Sequence, residues 1–331
     1  MTNWCEYSET TYGDWDEAIG KLAGSNFFQT KSWAEIKCAS GWKVAYIAFK
    51  HGDEITSMAL TLYRPQLLSG ATVWLPGGIC GEPDVKVDLL NQALKHILRA
   101  KWIYLRINAI GFLQDTNLNR RMIASGWSTP VVTLGSGQSL IYDTTKDEIT
   151  RLTAATANWR HNLKRSKKYS LSFKKWLTPD IDEIMNLYRA METHKGLVAQ
   201  VAYKELSALL KQVGSSVVLY KCENMQGELI AIRACAVWRD QSFDLLAAAS
   251  VSARKVYASH GLLWILFNQC AEMGVSRYDM GGVDPIKNKG VFDFKKGTGA
   301  QLIKYLGEWE YGSLPTLKYF VNCVMYVKKS L

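Results

Sequence analysis

From Gly52 the sequence GDEITSMALTLYR alternates apolar and polar positions in the manner of a strand. An apolar run (ATVWLPGG), a helical segment (VDLLNQALKHILRAK) and a second apolar run (WIYLRI) follow. From Gly227 the order recurs as GELIAIRACAVWR, SFDLLAAAS, HGLLWILFNQCAEMG and SRYDM. Gly52 to Tyr104 spans 52 residues and Gly227 to Tyr278 spans 51. A matched order at a matched spacing predicts two copies of one strand–strand–helix–strand unit. Helical sequence precedes each copy: NFFQTKSWAEIKCAS the first, TPDIDEIMNLYRAMETHKG and AYKELSALLKQVG the second. Thr178 is the expected N-cap ahead of Pro179, and Gly196 the expected stop. Strands covered by helices give an α/β (α+β) fold, duplicated.

Composition agrees with two packed units. The chain has 331 residues, 48% of them hydrophobic, with 12 Trp and 16 Tyr, enough for two cores and against disorder. Seven scattered cysteines, with no CxxC and several inside apolar runs, predict reduced thiols in a cytoplasmic protein rather than a disulfide frame. The acidic N-terminal stretch lacks the apolar core of a signal peptide. LLWILFNQCAEM is too short to cross a bilayer, so no stable membrane insertion is expected.

Charge changes the picture. The net charge of +10 is concentrated: from Ile149 to Pro179 there is no acidic residue but eight Lys or Arg. In NWRHNLKRSKKY, Arg160, Lys164 and Lys168 recur every four residues, with Arg165 and Lys167 beside them. On a helix they form a cationic stripe able to follow a phosphate backbone with little sequence preference; the plainer alternative is a solvated helix.

Chemistry-bearing motifs are few. The chain has no Gly-x-Ser-x-Gly elbow, no Walker loop, no His-Glu-x-x-His and no dinucleotide fingerprint. Its five histidines show no metal-ligand spacing, and His260 reads as structural. This poverty fits a reaction whose substrate arrives already activated, such as aminolysis of an ester or thioester. No cofactor or metal is expected.

The stretch YDMGGVDPIKNKGVFDFKKGTG, Tyr278 to Gly299, then resembles the Fem family of non-ribosomal peptidyl transferases, through Tyr278, Asp279, Gly281, Gly282, Gly290, Phe294, Lys295 and Gly299. FFQTKSWAEIKCASGW resembles that family's N-terminal element through Gln29, Trp33 and Lys37, and NWRHNLKRSKKYSL its basic helix. The resemblance implies two GNAT-like domains in tandem: 1–145, completed by the apolar tail 313–331, and 146–312. It implies a monomer that moves an amino acid from aminoacyl-tRNA to an acceptor amine, most simply the stem peptide of a peptidoglycan precursor. Thr298 stands where the family has an aromatic, and Asn108 where it has a carboxylate.

The residue roles follow from the same resemblance. Lys295 supplies the cation for the oxyanion and Phe294 shapes its pocket. Gly281, Gly282, Gly290 and Gly299 form the turns that present them. Lys37, Trp33, Gln29, Tyr104 and Asn108 face the acceptor, Lys37 on its phosphates if it is a nucleotide-linked precursor, or else only solvent. Arg160, Lys164, Arg165, Lys167 and Lys168 hold tRNA. Three other readings stay open: a natural-product or peptide-antibiotic acceptor, acetyl transfer from an acyl-CoA, and a non-catalytic RNA-binding module. The second needs a Gly-rich turn, where RKVYASHG has one glycine.

Overall fold

The predicted repeat is realised strand for strand in the computed structural model, which describes residues 2–196, 201–314 and 316–330. In chain order the first part holds β1 (Thr2–Glu6), α1 (Glu9–Tyr12), α2 (Trp15–Ile19), α3 (Lys31–Cys38), β2 (Lys43–His51), β3 (Glu54–Gln66) and β4 (Gly70–Pro76). Then come β5 (Cys80–Gly81), α4 (Val87–Leu98), β6 (Trp102–Leu113), α5 (Thr116–Ala124) and β7 (Gln138–Asp143). The second part holds α6 (Glu148–Ala154), α7 (Ala157–Ser166), β8 (Ser172–Lys175), α8 (Ile181–Lys195), α9 (Tyr203–Leu210), β9 (Val217–Glu223) and β10 (Leu229–Trp238). It continues with β11 (Gln241–Ala249), α10 (Val251–Lys255), α11 (Ala258–Glu272), β12 (Arg277–Gly282), α12 (Lys289–Lys296), β13 (Gln301–Gly312) and α13 (Leu317–Ser330).

The chain divides into two compact units, Met1–Gln138 with Lys304–Leu331, and Ser139–Ile303. In unit 1 the strands lie β1-β2-β3-β4-β6-β13, with β5 on β3; in unit 2 they lie β8-β9-β10-β11-β12-β7. Each sheet is antiparallel except at one place, β4 beside β6 in unit 1 and β11 beside β12 in unit 2, where a helix makes the crossover. The last strand of each sheet is exchanged along the chain. β13 pairs with β6 from Tyr305 to Gly312, and β7 pairs with β12 from Ser139 to Asp143. These pairings put the unit boundaries at 138/139 and 303/304, where the sequence placed them at 145/146 and 312/313.

α4 covers the unit 1 sheet with Val87, Leu90 and Leu94, one helical stripe laid on Val73, Leu75, Ile103 and Leu105. α13 completes the unit: Asn322 donates to both carboxylate oxygens of Glu310 (3.1 and 2.9 Å). In unit 2, α11 buries Leu262, Leu263, Leu266, Phe267 and Cys270, and Phe267 stacks on Tyr142 at 3.7 Å. Each such large side chain is worth roughly 1.5–3 kcal/mol on burial. α8 starts later than expected. Its cap is Asp180, which accepts from the backbone of Asp182 and Glu183, while Gly196 ends it at φ +62° as anticipated. All seven cysteines are free thiols. Among the described residues no helix is long and apolar enough to cross a membrane, and no His/Cys/Asp/Glu cluster could hold a metal.

Candidate active site

The two sheets differ at their parallel pair. β4 and β6 stay in register over seven residues, Gly70 with Trp102 to Pro76 with Asn108. β11 and β12 pair only from Gln241 with Arg277 to Phe243 with Asp279, and the ladder then stops. The charged groups of unit 2 cluster just past that point. Asp244 is the next residue of β11, and it accepts two hydrogen bonds from Arg233 on β10, Nε to Oδ1 at 3.0 Å and Nη2 to Oδ2 at 2.6 Å. The Tyr278 hydroxyl donates to the same carboxylate at 2.9 Å. Both members of the ion pair are buried, so bidentate geometry and the third bond are what offset their desolvation.

Lys295 joins this cluster from α12. Its side chain is 9% exposed, and its Nζ donates to the Met280 carbonyl oxygen on β12. Gly281, at φ +75°, lies under it: a Cβ there would sit 3.9 Å from the Lys295 Nζ. Asp279 holds this turn by accepting from the Gly281 amide (2.8 Å) and from the Ser139 hydroxyl. Burial pulls the Lys295 pKa below the usual lysine range; Asp244 pulls it back up, Arg233 pushes it down and Asp279 supports it. Arg233 is also opposed by burial, but Asp244 and then Tyr278 raise it overall. Tyr278 is pushed far up by burial and by the Asp244 charge. Lys296, the next residue, is exposed and reaches the Ala300 carbonyl at 3.2 Å.

Phe294 belongs to an aromatic cluster. Its ring meets His260 edge-on at 5.0 Å and Trp159 at 6.5 Å, and the Arg233 guanidinium lies 5.9 Å from its centre. Burial holds the His260 pKa down at about 4, so this imidazole is neutral at pH 7. Trp159 comes from α7, whose buried face is Trp159, Leu163 and Ser166. On the same helix Arg160 and Lys164 are exposed, with Lys167 and Lys168 at and beyond its C-terminal cap. Arg160 turns back to the Thr153 carbonyl at 3.0 Å, and Arg165 stacks over Tyr257 at 4.5 Å. One helix thus carries the basic stripe on one face and packs against Phe294 with the other.

Several expected roles change. GVFDFKKGTG is not a glycine turn: Lys289–Lys296 is α12, and Gly290 sits inside it with open space around it. Gly282 has no positive φ and ends β12 opposite Ser139. Gly299 does form a turn, at φ +91°, with the Ala154 carbonyl 2.7 Å from where a Cβ would be. Thr298 is buried and its hydroxyl donates to the Lys295 carbonyl at 2.7 Å, so it closes the end of α12.

In unit 1, Gln29 is fully enclosed: its carbonyl oxygen accepts from Leu60 (2.6 Å) and its amide donates to the Pro76 carbonyl, a pin between β3 and β4. Tyr104 is a core residue that donates to Glu310 at 2.8 Å. Neither has a surface for an acceptor. Lys37 does remain at the surface, with Nζ 4.5 Å from the Trp33 ring and 5.8 Å from the Trp74 ring. Asn108 is half-buried on β6, opposite Glu308.

Sequence reasoning missed Arg233 and Asp244. The signal was present as single charges inside the apolar runs LIAIRACAVW and SFDLLAAA, which a buried strand admits only when they are paired.

Residues 221–326 match the FemAB family. Among solved structures, FemX superposes with a TM-score of 0.79 at 15% identity, covering 97% of this chain and 100% of that one. A tandem GNAT protein from the clavulanic acid biosynthesis pathway gives 0.60 at 12% identity, covering 95% and 99%. The C-terminal domain of a putative lysylphosphatidylglycerol synthetase from Agrobacterium fabrum gives 0.57 at 14%, covering 92% and 94%. No curated protein sequence matches. The chain therefore has the tandem GNAT-like fold, and the Fem resemblance read from Tyr278 to Gly299 falls inside the matched region.

Proposed function

We propose that this protein is an aminoacyltransferase that moves an amino acid from aminoacyl-tRNA to the amine of a peptidoglycan stem peptide. The observation that carries the reading is Lys295: a buried lysine beside an interrupted parallel ladder, inside the region that matches the FemAB family. In the ester of aminoacyl-tRNA the carbonyl carbon is already activated. The neutral acceptor amine attacks it, forming the C–N bond and an oxyanion. The Lys295 ammonium, with two N–H donors beyond the one given to Met280, stabilises that charge. Collapse breaks the C–O bond, and the proton lost by the amine ends on the departing ribose hydroxyl. The exposed cations of α7 hold the tRNA backbone, and Trp159, packed against Phe294, links that helix to Lys295. On unit 1, Lys37, its ammonium over the Trp33 and Trp74 rings, is the side chain offered to the acceptor, with half-buried Asn108 a second candidate, while Gln29 and Tyr104 lie in the core.

An acyl-CoA donor fits less well. The connection that would hold its pyrophosphate contains the short helix α10 and Tyr257 rather than a run of glycines. Asn108, where related sequences carry a carboxylate, favours keeping a natural-product amine as the second acceptor. The test is incubation with radiolabelled aminoacyl-tRNA and either acceptor. The reading expects label in a hydrolysis-stable amide on the cell-wall precursor. Label only on the natural-product amine moves the acceptor, and no transfer from aminoacyl-tRNA to any amine overturns the chemistry.

A further inference from the structure

The strand register of unit 1 brings four connections to one end of its sheet. Lys43 at the start of β2 pairs with Tyr63, Gln66 at the end of β3 with Gly70, Gly70 with Trp102 at the start of β6, and Tyr104 with Gly312 at the end of β13. Residues 39–43, 64–70, 99–102 and 312–314 therefore share that end, and none of them is acidic. They carry Lys43, Arg64, Arg99 and Lys101, all exposed. The opposite end carries both signs, with Lys50 and Lys86 among Asp53, Glu54, Glu82 and Asp84. The acid-free stretches belong to the first end.

The cationic end has an apolar tip. Leu67 and Leu68, in the β3–β4 turn, are each 86% exposed, and Leu314, after β13 at the same end of the sheet, is 47% exposed. A tight hairpin is ordinarily closed by Asn-Gly, yet here Leu68 and Ser69 take φ +54° and +57°, a conformation costly for a branched side chain. The turn is held in place: the Lys101 amide donates to the Ser69 carbonyl at 2.7 Å, and Arg64 stacks on Trp42 at 4.5 Å. Two leucines kept out in water on a strained turn, ringed by cations, match a surface that is apolar inside and anionic outside.

We propose that this end of unit 1 docks on an anionic phospholipid bilayer, with Leu67 and Leu68 entering between the headgroups and Lys43, Arg64, Arg99 and Lys101 facing their phosphates. The surface lies wholly on unit 1 and does not depend on the chemistry assigned to unit 2. A nucleic acid would use the same cations but gains nothing from the leucines, whereas an anionic bilayer matches both the cations and the apolar tip. This is peripheral attachment, and no spanning segment is required.

The experiment is co-sedimentation of the full chain with large unilamellar vesicles of phosphatidylcholine, with and without one-third phosphatidylglycerol. Binding is expected only to the anionic vesicles. Leu67→Ser with Leu68→Ser should lower partitioning ~10-fold or more, since two apolar side chains leave the interface. Arg64→Gln with Lys101→Gln should lower it by a similar factor and flatten its dependence on salt. Tyr319→Ser with Phe320→Ser, on the exposed face of α13, should leave it unchanged. Equal unfolding midpoints for wild type and variants establish that the fold is kept. The proposal is overturned if wild type ignores anionic vesicles, if the leucine variant binds them as well as wild type, or if the leucine pair instead weakens binding to tRNA.

Discussion

At Lys295 burial and charge act in opposite senses, and the balance sets how the residue can work. In the proposed reaction Lys295 acts on the oxyanion as an ammonium, so transfer is expected to fail as pH rises through the Lys295 pKa. Burial moves that alkaline limb below the ordinary lysine value of about 10.4. Asp279 raises this pKa, so Asp279→Asn should shift the limb to lower pH; a pH–rate profile that does not move would remove Asp279 from the cluster. Loss of a donor aimed at an oxyanion costs roughly 3 kcal/mol, so Lys295→Ala should lower kcat/KM by a factor of about 100. Lys296→Ala, changing an exposed neighbour, should stay within about twofold in the same transfer assay.

Arg233 and Asp244 make a second argument at this scale. Removing one leaves the other charged and buried, at a cost of roughly 3–5 kcal/mol, whereas replacing both by apolar residues of similar size is far milder. Urea melts of Arg233→Met, Asp244→Leu and the double variant should show each single change worse than the pair. Equal, additive losses would mean that the ion pair is not what holds β10 to β11 there.

Among elements, α12 shows where reading the sequence stops. The repeated strand–strand–helix–strand order was legible because periodicity is a local property of each run. GVFDFKKGTG was read as a turn because glycines stand at both of its ends, but helix formation there is decided by packing: Lys295 is buried at its last turn, and Trp159 is 3.0 Å from where a Cβ on Gly297 would be. Arg233 and Asp244 were illegible as a pair because β10 and β11 meet across a bulge between Ala234 and Cys235 that no sequence pattern announces. The glycines now separate by position. Gly290→Ala, helical and unobstructed, should stabilise by about 0.5–1 kcal/mol. Gly299→Ala, at φ +91° against the Ala154 carbonyl, should destabilise by more than that. Thermal melts that move in the same direction for both would contradict the placement of α12.

For the molecule as a whole the question is what the net charge of +10 is for, and it is not spread evenly. The five cations on α7 and just past its C-terminus are not equivalent. Arg160 is engaged by the Thr153 and Ala155 carbonyls and Arg165 by the Tyr257 ring, so both help to fix the helix against its neighbours. Lys164, Lys167 and Lys168 are exposed, and in the proposed tRNA complex they supply the long-range attraction. Each phosphate neutralised on a nucleic acid contributes about 0.7–0.9 to the slope of log K against log salt. Replacing these three lysines by Gln should therefore lower the slope for tRNA binding by roughly 2, with the unfolding midpoint unchanged. Arg160→Gln should instead lower that midpoint and alter the slope by no more than about 1. Filter binding of tRNA between low and physiological salt measures both, and a triple lysine variant with the wild-type slope would mean that α7 is only a solvated helix.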